Sequence, residues 1–164
     1  MAPDAYRMTD FGLSLEERIR SYQASVVADP KYSGFDTQML RVLEYVGAHA
    51  ETKTTMFQFE VADFMCNKDG VLHGGAASTM FDNISSTSLF TIGKPGYWDN
   101  LGVSRSLSIW FHHPIPAGAR IRLVNSVVDA GQRMATVRSV MKSPDGKTCA
   151  SCVHEKYLSR RGSL

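Results

Sequence analysis

Two adjacent glycines, Gly74 and Gly75, precede a segment of small and apolar residues that has the composition of a helix. Glycine allows the backbone to bend tightly and lets a ligand approach the main chain closely. The first N–H groups of a helix have no partner within it, and the helix dipole adds partial positive charge there. Such donors can bind an anion, or polarise a carbonyl whose oxygen becomes negative in a transition state. The glycine pair alone also fits an ordinary turn before a helix, so both interpretations stay open at this point.

Asp82 is the only ionisable residue in the segment 75–92. It lies more than two turns inside the predicted helix, so it is not an N-cap residue. A buried carboxylate is costly unless it is hydrogen-bonded or paired, and no cationic residue is near it in sequence. One interpretation is that neighbouring hydroxyl groups, such as those of Ser86 or Ser78, hold the carboxylate. The other is that Asp82 is a general base or a nucleophile in a cleft.

The spacing of Gly74 and Asp82 restricts how the two could act together. They are eight residues apart in the sequence, which is ~12 Å along a helix at 1.5 Å per residue. An oxyanion donor must lie ~3 Å from the reacting oxygen, and a base must reach the attacking water. One chain does not readily bring both groups to the same carbonyl. If both act, two chains related by a two-fold axis must pack their central helices antiparallel, which predicts a homodimer with two composite sites.

Apolar periodicity predicts the elements that position these residues. An N-terminal helix is expected from Ser14 to about residue 28, because Ser14 and Glu17 have capping-box spacing and apolar residues recur on one face. A short helical turn is expected after Gly34, leading into an apolar run at 39–46. Alternating apolar and polar residues then predict five strands, at 54–66, 101–111, 120–130, 133–142 and 148–158.

The segment 75–92 has neither the alternation of a strand nor the polar face of a surface helix. A helix without a charged face is usually enclosed by the rest of the fold. One such helix followed by four antiparallel strands predicts an α+β fold, with a curved sheet wrapped around a long central helix. Along 101–111, one face is expected to carry Val103, Leu107, Ile109 and Phe111, and the opposite face Ser104, Ser106 and Ser108.

The pattern N-x-x-G-x-L-H-G-G at 67–75, followed by D-N-I-S at 82–85, resembles that of the hotdog-fold acyl-CoA thioesterases. Within that family it is most similar to the phenylacetate-pathway thioesterase and the mammalian thioesterase-superfamily proteins. The resemblance extends over roughly 34–157 and leaves the N-terminal helix outside it. It implies a hotdog fold, in which an antiparallel sheet wraps a long central helix, and double-hotdog dimers that commonly pair into tetramers.

The resemblance also implies roles for five residues. The backbone N–H of Gly74 would polarise the thioester carbonyl, with help from the side chain of Asn67. Asp82 of the partner subunit would activate the attacking water, or attack directly through an anhydride. Ser104 matches the residue that helps Asp82 to orient that water. His73 would support Asn67 and the turn rather than act as a nucleophile. An ordinary strand serine and a turn histidine bonded to the backbone are the alternatives for Ser104 and His73.

Three further residues are expected to contact the substrate: Gly75, Tyr97 and Trp98. The segment 94–100 before Ser104 is longer than in related sequences, and its two aromatic residues would reshape the acyl pocket or its entrance. Ser106 stands where related sequences often carry an acid. These departures leave the reaction class intact and leave the acyl specificity open.

Composition limits the remaining possibilities. A chain of 164 residues has room for one domain of ordinary size, here divided into an N-terminal extension at 1–33, a hotdog domain at 34–158 and a tail at 159–164. A net charge of +2 argues against nucleic acid as the main partner, and no apolar run approaches the ~18 residues of a membrane span. An odd count of three cysteines and the absence of a signal-peptide pattern predict a cytoplasmic protein. No cofactor is expected.

A metal site is not expected either. Cys149 and Cys152 fall in a predicted strand, where residues three apart point to opposite faces. His112 and His113 lack a third ligand at metal spacing.

The predicted function is therefore hydrolysis of an acyl-CoA to a free acid and coenzyme A. Two alternatives share the fold. One is an acyl-ligand sensor or scaffold without turnover, which the altered position 106 and the N-terminal helix leave open. The other is a hydratase or dehydratase that uses a histidine and an acid, for which His73 is the only plausible histidine in the sequence.

Overall fold

The alternating second half of the chain folds into consecutive antiparallel strands, as its periodicity predicts. The computed structural model of the protein describes residues 8–158. Its helices are α1 (Leu15–Val27), α2 (Thr37–Arg41) and α3 (Gly74–Ser85), with short 3-10 helices at Asp63–Met65 and Ser86–Thr91. Its strands are β1 (Glu44–His49), β2 (Thr54–Glu60), β3 (Val103–Phe111), β4 (Arg120–Ala130), β5 (Met134–Lys142) and β6 (Thr148–Tyr157). The last three strands begin and end within one residue of the predicted bounds.

The strands form one six-stranded sheet in the order β1-β2-β4-β5-β6-β3, in which every neighbouring pair is antiparallel. The inward side chains of β2, β4 and β5 are buried, among them Phe57, Leu123 and Met141, and they pack with Met80 and Phe81 of α3. The sheet therefore wraps the central helix, and the predicted fold class is confirmed. No helix within residues 8–158 combines the length and the apolar character that a membrane crossing needs.

Helix α1 starts at the capping box that the sequence predicts. The Ser14 hydroxyl accepts a hydrogen bond from the Glu17 N–H at 3.3 Å, and the Glu17 carboxylate accepts one from the Ser14 N–H at 2.8 Å. The apolar face of α1, which includes Ile19, Tyr22 and Val26, is buried in the same core as α3. The N-terminal helix thus packs as part of the sheet-and-helix body. A domain boundary at residue 33 stays a prediction, and the predicted tail at 159–164 lies outside the described residues.

Three bounds differ from those expected. Strand β2 ends at Glu60 rather than at residue 66, because the chain turns into the 3-10 helix Asp63–Met65. The apolar run at 39–46 is divided between α2 and a strand, β1, that the periodicity did not predict. The α-helical hydrogen bonding of the central segment ends at Ser85. Beyond it, hydroxyl groups of the 3-10 helix donate to carbonyls three or four residues back, and such bonds compete with a regular helix.

Strand β3 contains a bulge next to its first residues. In the register with β6, Ser104 lies opposite Lys156 and Ser106 lies opposite Glu155, so Arg105 is an extra residue on β3. A bulge shifts the alternation of side chains on one side of it by one position. Ser104 consequently faces inward, on the same side of the sheet as the buried Lys156.

The bulge corrects the predicted faces of β3. Strict alternation places Val103 on the inner face with Leu107, and Ser104 on the outer face. In the structure Val103 is largely exposed and Ser104 contacts α3. The alternation of faces predicted from Leu107 to Phe111 is correct. It cannot be extended to the residues before Arg105, because the bulge shifts it there by one position. The direction in which the first side chains of β3 point is therefore determined by the pairing of β3 with β6.

Replacing Gly102 by alanine tests how closely the chain that enters β3 packs on β6. Gly102 and Gly118 both have left-handed backbone, with φ of +60 and +75, where alanine costs about 1–2 kcal/mol. At Gly102 a Cβ atom would also lie 2.6 Å from the Tyr157 carbonyl oxygen, whereas nothing lies within 4 Å of one at Gly118. We expect Gly102→Ala to lower the free energy of unfolding by about 1–3 kcal/mol more than Gly118→Ala, measured by urea denaturation. Equal losses in the two variants would contradict the close packing.

Candidate active site

The central helix leaves one stripe of its surface uncovered by the sheet. The residues along this open stripe are small or polar and recur every four positions: Gly74, Gly75, Ser78, Thr79, Asp82 and Asn83. The Asp82 side chain is 45% exposed. The expectation of a fully enclosed carboxylate is thus wrong for a single chain, because the strands wrap the other sides of α3. The carboxylate is reachable from solvent.

Asp82 opens into a cleft that the N-terminal helix helps to form. The cavity has a volume of about 340 Å³. Its walls come from α1, α3, the segment that enters β3, and the end of β6, and its lining residues are Tyr22, Asp82, Asn83, Ser86, Asn100, Leu101, Gly102, Val103, Ser104 and Lys156. Most of these groups are polar. The cleft therefore offers room for a water molecule and part of a ligand directly beside the carboxylate.

A short hydrogen bond joins Asp82 to Ser104. The Ser104 hydroxyl donates to Oδ1 of Asp82 at 2.5 Å. The two neighbouring hydroxyls named as candidates act elsewhere, because Ser86 donates to the Asp82 carbonyl and Ser78 to the Gly74 carbonyl. The interpretation that these neighbours hold the carboxylate is therefore wrong. No bond to the other oxygen, Oδ2, is present within the described part of the chain, which leaves Oδ2 able to accept from a bound water.

Strand β6 brings His154 to the carboxylate. Its side chain is fully buried, Nδ1 lies 2.6 Å from the Ser85 hydroxyl, and Nε2 lies 3.5 Å from Oδ1 of Asp82. Burial, together with nearby Lys156, lowers the pKa of His154 to about 4 against the opposing effect of Asp82. The imidazole is therefore neutral near pH 7, and its contact with Asp82 is a long polar contact rather than an ion pair. Within residues 8–158, Nε2 has no hydrogen-bond partner.

The same strand also brings Lys156 to the cleft. Its side chain is 4% exposed, and Nζ lies 3.5 Å from Oγ of Ser104. Burial lowers the pKa of Lys156 to about 8, while Asp82 opposes that shift. Sequence reasoning found no cation near Asp82 because it considered neighbours along the chain. The sequence did contain a signal. His154 and Lys156 lie on the same face of β6 as Ala150, which is the inward face, and polar residues are unusual on a buried face.

The Gly74 turn lies at a second cleft, of about 330 Å³, whose lining residues include Gly74, Phe111 and His112. Gly74 is the first residue of α3, and within the described residues its N–H has no acceptor. His73 is the N-cap, and its Nδ1 accepts from the Gly75 N–H at 2.9 Å. Gly74 is therefore a free donor at the start of the helix. Contact of Gly75 with substrate stays a prediction, although its N–H is already bonded.

Asn67 closes the turn that leads to Gly74. Its Oδ1 accepts from the N–H groups of Asp69 and Val71 at 2.9 and 3.3 Å. Because the side-chain oxygen faces these two donors, the amide nitrogen points the other way. No partner for that nitrogen is present in the described part of the chain. His73 contacts Gly75 rather than Asn67, so its expected support acts on the turn and the helix start.

The two aromatic residues of the long segment before β3 pack away from both clefts. The Trp98 indole is buried and donates to the Gly131 carbonyl at 2.9 Å. The Tyr97 hydroxyl donates to the Ala130 carbonyl at 3.0 Å. Trp98 lies close behind Gly102, so it supports the wall of the Asp82 cleft from outside. Direct contact of either residue with substrate stays a prediction.

Asp82 and Gly74 of one chain do not converge. The clefts at Asp82 and at Gly74 share no lining residue, and the two residues occupy opposite ends of α3. Ser104 contacts Asp82, whereas Asn67 and His73 belong to the turn that precedes Gly74.

The remaining candidates for metal or thiol chemistry are Cys149, Cys152, His112 and His113. Within residues 8–158, no group of three or more His, Cys, Asp or Glu side chains could hold a metal ion. Cys149 and Cys152 are free and buried. Burial, with a contribution from Asp82, raises the pKa of Cys152 to about 12, so its thiol stays protonated and inert. His112 lies 2.8 Å from the Ser151 hydroxyl.

Comparison with known proteins places the chain in a family. The model of the thioesterase superfamily matches residues 69–150, from the turn before Gly74 through the start of β6. The mouse protein acyl-coenzyme A thioesterase 13 is 30% identical over 132 residues, which cover 78% of this chain and 87% of that protein. The chain belongs to the thioesterase superfamily. The resemblance found in the sequence is thus confirmed, as is the predicted class of protein, a thioesterase.

Solved structures of thioesterases agree with the fold. Mouse thioesterase superfamily member 2 superposes with a TM-score of 0.74 at 24% identity, covering 90% of this chain and 99% of that chain. The zebrafish member 2 gives a TM-score of 0.73 at 23% identity, covering 86% of this chain and 98% of that chain. Both alignments are too long for the N-terminal helix to be wholly outside them. The hotdog architecture is therefore shared.

The buried His154 makes the thioesterase less stable in acid. In the folded protein its pKa is about 4, below the ordinary value of 6.5, so the unfolded chain binds the proton first as the pH falls. Linkage then lowers the free energy of unfolding between pH 6.5 and 4, by up to about 3 kcal/mol. His154→Gln should flatten this part of the profile in urea denaturation. The exposed His113→Gln is the matched control and should not. A wild-type slope in His154→Gln would contradict the assignment.

Proposed function

We propose that this protein hydrolyses the thioester bond of an acyl-CoA, releasing a free acid and coenzyme A. Membership of the thioesterase superfamily and the relative named acyl-coenzyme A thioesterase 13 support this substrate class. The observation that carries the proposal is the Asp82 carboxylate. It is held at one oxygen by Ser104 at 2.5 Å, and Asp82 lines an open cleft.

In the proposed reaction Asp82 acts on water and Gly74 acts on the carbonyl. Oδ2 of Asp82 accepts a proton from water as the water oxygen forms a bond to the thioester carbon. The carbonyl oxygen becomes negative and is stabilised by the Gly74 N–H, with the Asn67 amide as a second donor. The carbon–sulfur bond then breaks, the coenzyme A thiolate leaves, and it takes up a proton. Direct attack by the carboxylate, through an anhydride that water later opens, uses the same groups.

We propose that two chains form each site. The open stripe of α3 runs from Gly74 to Asp82, so two such helices packed antiparallel would place each acid opposite the amide of the other chain. β3 is an edge strand, and its large apolar residues Trp110 and Phe111 are 51% and 59% exposed. Exposed apolar edges are normally covered. Pairing of β3 with its two-fold copy would cover this edge and bring the helices together.

Three finer points belong to the same proposal. A dimer of dimers remains a prediction, which the solution mass would test. A cytoplasmic location also remains a prediction, and it is supported by the free thiols of Cys66, Cys149 and Cys152. The acyl group is left open, although the polar lining of the Asp82 cleft favours a short or polar group over a long alkyl chain.

The alternatives gain less support. A hydratase needs a histidine that reaches the substrate together with an acid. His154 is closer to Asp82 than the His73 proposed from sequence, but its side chain is sealed in the core. A sensor without turnover needs no carboxylate beside room for an attacking water, whereas Asp82 lines an open cleft.

Thiol release from a panel of acyl-CoAs tests the function. We expect the wild type to hydrolyse at least one member of the panel, and Asp82→Asn to lower kcat by about 100-fold or more, because the isosteric amide cannot take the proton. Asp129→Asn, the same change at an exposed acid outside the cleft, is the matched control and should leave kcat unchanged. Tight binding of acyl-CoA by the wild type with no thiol release would instead indicate a sensor.

Gly74→Pro isolates the contribution of one N–H group. Proline removes that donor yet is tolerated at the first position of a helix, and His73, with φ −65 and ψ 135, already has the backbone that precedes proline. We expect Gly74→Pro to lower kcat by about 100-fold or more. Gly74→Ala keeps the N–H and adds a Cβ atom 3.4 Å from Phe111, so it should retain most activity. Equal losses would exclude the amide as the decisive donor.

Combining the two defects tests whether the site is shared. A mixed dimer of Asp82→Asn and Gly74→Pro chains, isolated through two affinity tags, should contain one site with both groups intact. We expect about half of the wild-type activity from such a dimer. If both groups acted within one chain, the mixed dimer would stay as inactive as its parents.

A further inference from the structure

We propose that Lys156 is a positioning residue that fixes the direction of the Ser104 hydroxyl and thereby holds Asp82 for catalysis. This inference rests on the proposed function and adds a residue to its site. The three side chains come from β6, β3 and α3, and all three line the same cleft. They form a line in which Lys156 contacts Ser104 and Ser104 contacts Asp82.

The numbers of hydrogens and lone pairs on the three groups determine which group donates at each contact. An ammonium group has three donors and no lone pair, so at the 3.5 Å contact the Ser104 oxygen can only accept. A serine hydroxyl has a single hydrogen, which is then left for Oδ1 of Asp82 at 2.5 Å. Lys156 thus excludes the alternative rotamer in which Ser104 donates away from the acid.

The placement of Lys156 is determined by the sheet. Ser104 lies directly opposite Lys156 because of the bulge at Arg105. An ammonium that is 4% exposed is costly in the core, and Asp82 supplies the opposite charge. The other titratable groups that face it are His154 and Cys152 on its own strand, and Tyr22 from α1, which lines the cleft. At neutral pH the imidazole and the thiol are uncharged, so they do not compensate the lysine.

A dependence on pH follows from this arrangement. Burial lowers the pKa of Lys156 to about 8. Above that pH the neutral amine has a lone pair and can accept from Ser104, which releases Asp82. Activity should therefore fall as the pH rises through about 8, while substrate binding changes little.

Lys156→Met is the main test, because methionine is of similar length and removes both the charge and the donors. We expect kcat to fall roughly tenfold, a change equivalent to one pKa unit of interaction, with KM nearly unchanged. The variant should also lose the decline in kcat near pH 8. Lys156→Arg keeps the charge and the donors and should recover part of kcat. Because a buried charge has been removed, Lys156→Met should melt no lower than the wild type.

A double-mutant cycle separates positioning from a general structural role. In the Ser104→Ala background the hydroxyl is absent, so Lys156→Met should lower kcat much less than it does in the wild type. If the two substitutions lowered kcat independently, so that their fold-losses multiplied in the double variant, the proposal would be overturned. A Lys156→Met profile that keeps the wild-type decline near pH 8 would also overturn it.

A second measurement does not depend on turnover. In an NMR titration of the Lys156 ammonium, Asp82→Asn should move the midpoint below the wild-type value, because the carboxylate favours the charged lysine. An unchanged midpoint would overturn the inference. Absence of thiol release by the wild type would instead overturn the proposed function, and the NMR titration would still decide whether the three groups are linked.

Discussion

The hydrogen bond between Ser104 and Asp82 is the contact on which the candidate site depends. It joins residues 22 positions apart in the chain, so it forms only when β3, β6 and α3 are all in place. The bulge at Arg105 turns Ser104 inward. Close approach of Gly102 to the Tyr157 carbonyl brings the start of β3 onto the end of β6. If either feature were absent, Ser104 would lie away from Asp82, and the carboxylate would lose the one strong side-chain donor that it has within residues 8–158.

The rotation of α3 about its axis is the second requirement, because it decides which residues occupy the open stripe. Small apolar side chains such as Ala76 and Ala77 fit the core without fixing a rotation. Polar contacts on other sides of the central segment do fix it. Asn83 donates to Asp36 at 2.6 Å, Ser85 lies 2.6 Å from His154, and Thr87 lies 2.9 Å from Thr55. Such contacts are directional, and a rotated helix would break them together.

Thr55 extends the last of these contacts into the sheet. Asn125 donates to Thr55, and Ser139 donates to Asn125, so β2, β4 and β5 share one buried polar network. A network of this kind is favourable only when its members are satisfied. It therefore holds the end of the central segment in one position, and the placement of Asp82 follows from contacts that are not part of the cleft.

Local sequence patterns predict many of the strands and turns of this structure. The features that they do not predict depend on pairing between distant parts of the chain. Strands β4, β5 and β6 were predicted within a residue because their alternation is strong and their turns are marked by glycine. The turn before Gly74 and the acid at Asp82 were found from residue type and spacing. The contact of Lys156 with Ser104 could not be found in this way. It depends on the register of two strands, and the two residues are 52 positions apart in the chain.

The bulge at Arg105 is a second feature that the local sequence does not predict. Nothing in the sequence 103–107 distinguishes a bulged strand from a straight one, because Ser104 and Ser106 are equally acceptable on either face. The choice is made by β6, whose inward residue at that level is Lys156. The burial of Trp98 escapes prediction from the sequence for a related reason. An aromatic residue in a long loop suggests a ligand contact, but its burial against Gly131 depends on a distant turn.

The separation of Asp82 from Gly74 has a physical reason that also bears on assembly. An unpaired N–H and an ionised carboxylate that lay side by side would bind each other, and each would then be lost to a substrate. Two turns of helix keep them apart within one chain. Each group is instead supported by contacts that leave one atom free, since Ser104 occupies a single oxygen of Asp82 and His73 takes the Gly75 N–H. A second copy of the chain can then bring the two groups to opposite sides of a thioester, with the substrate between them.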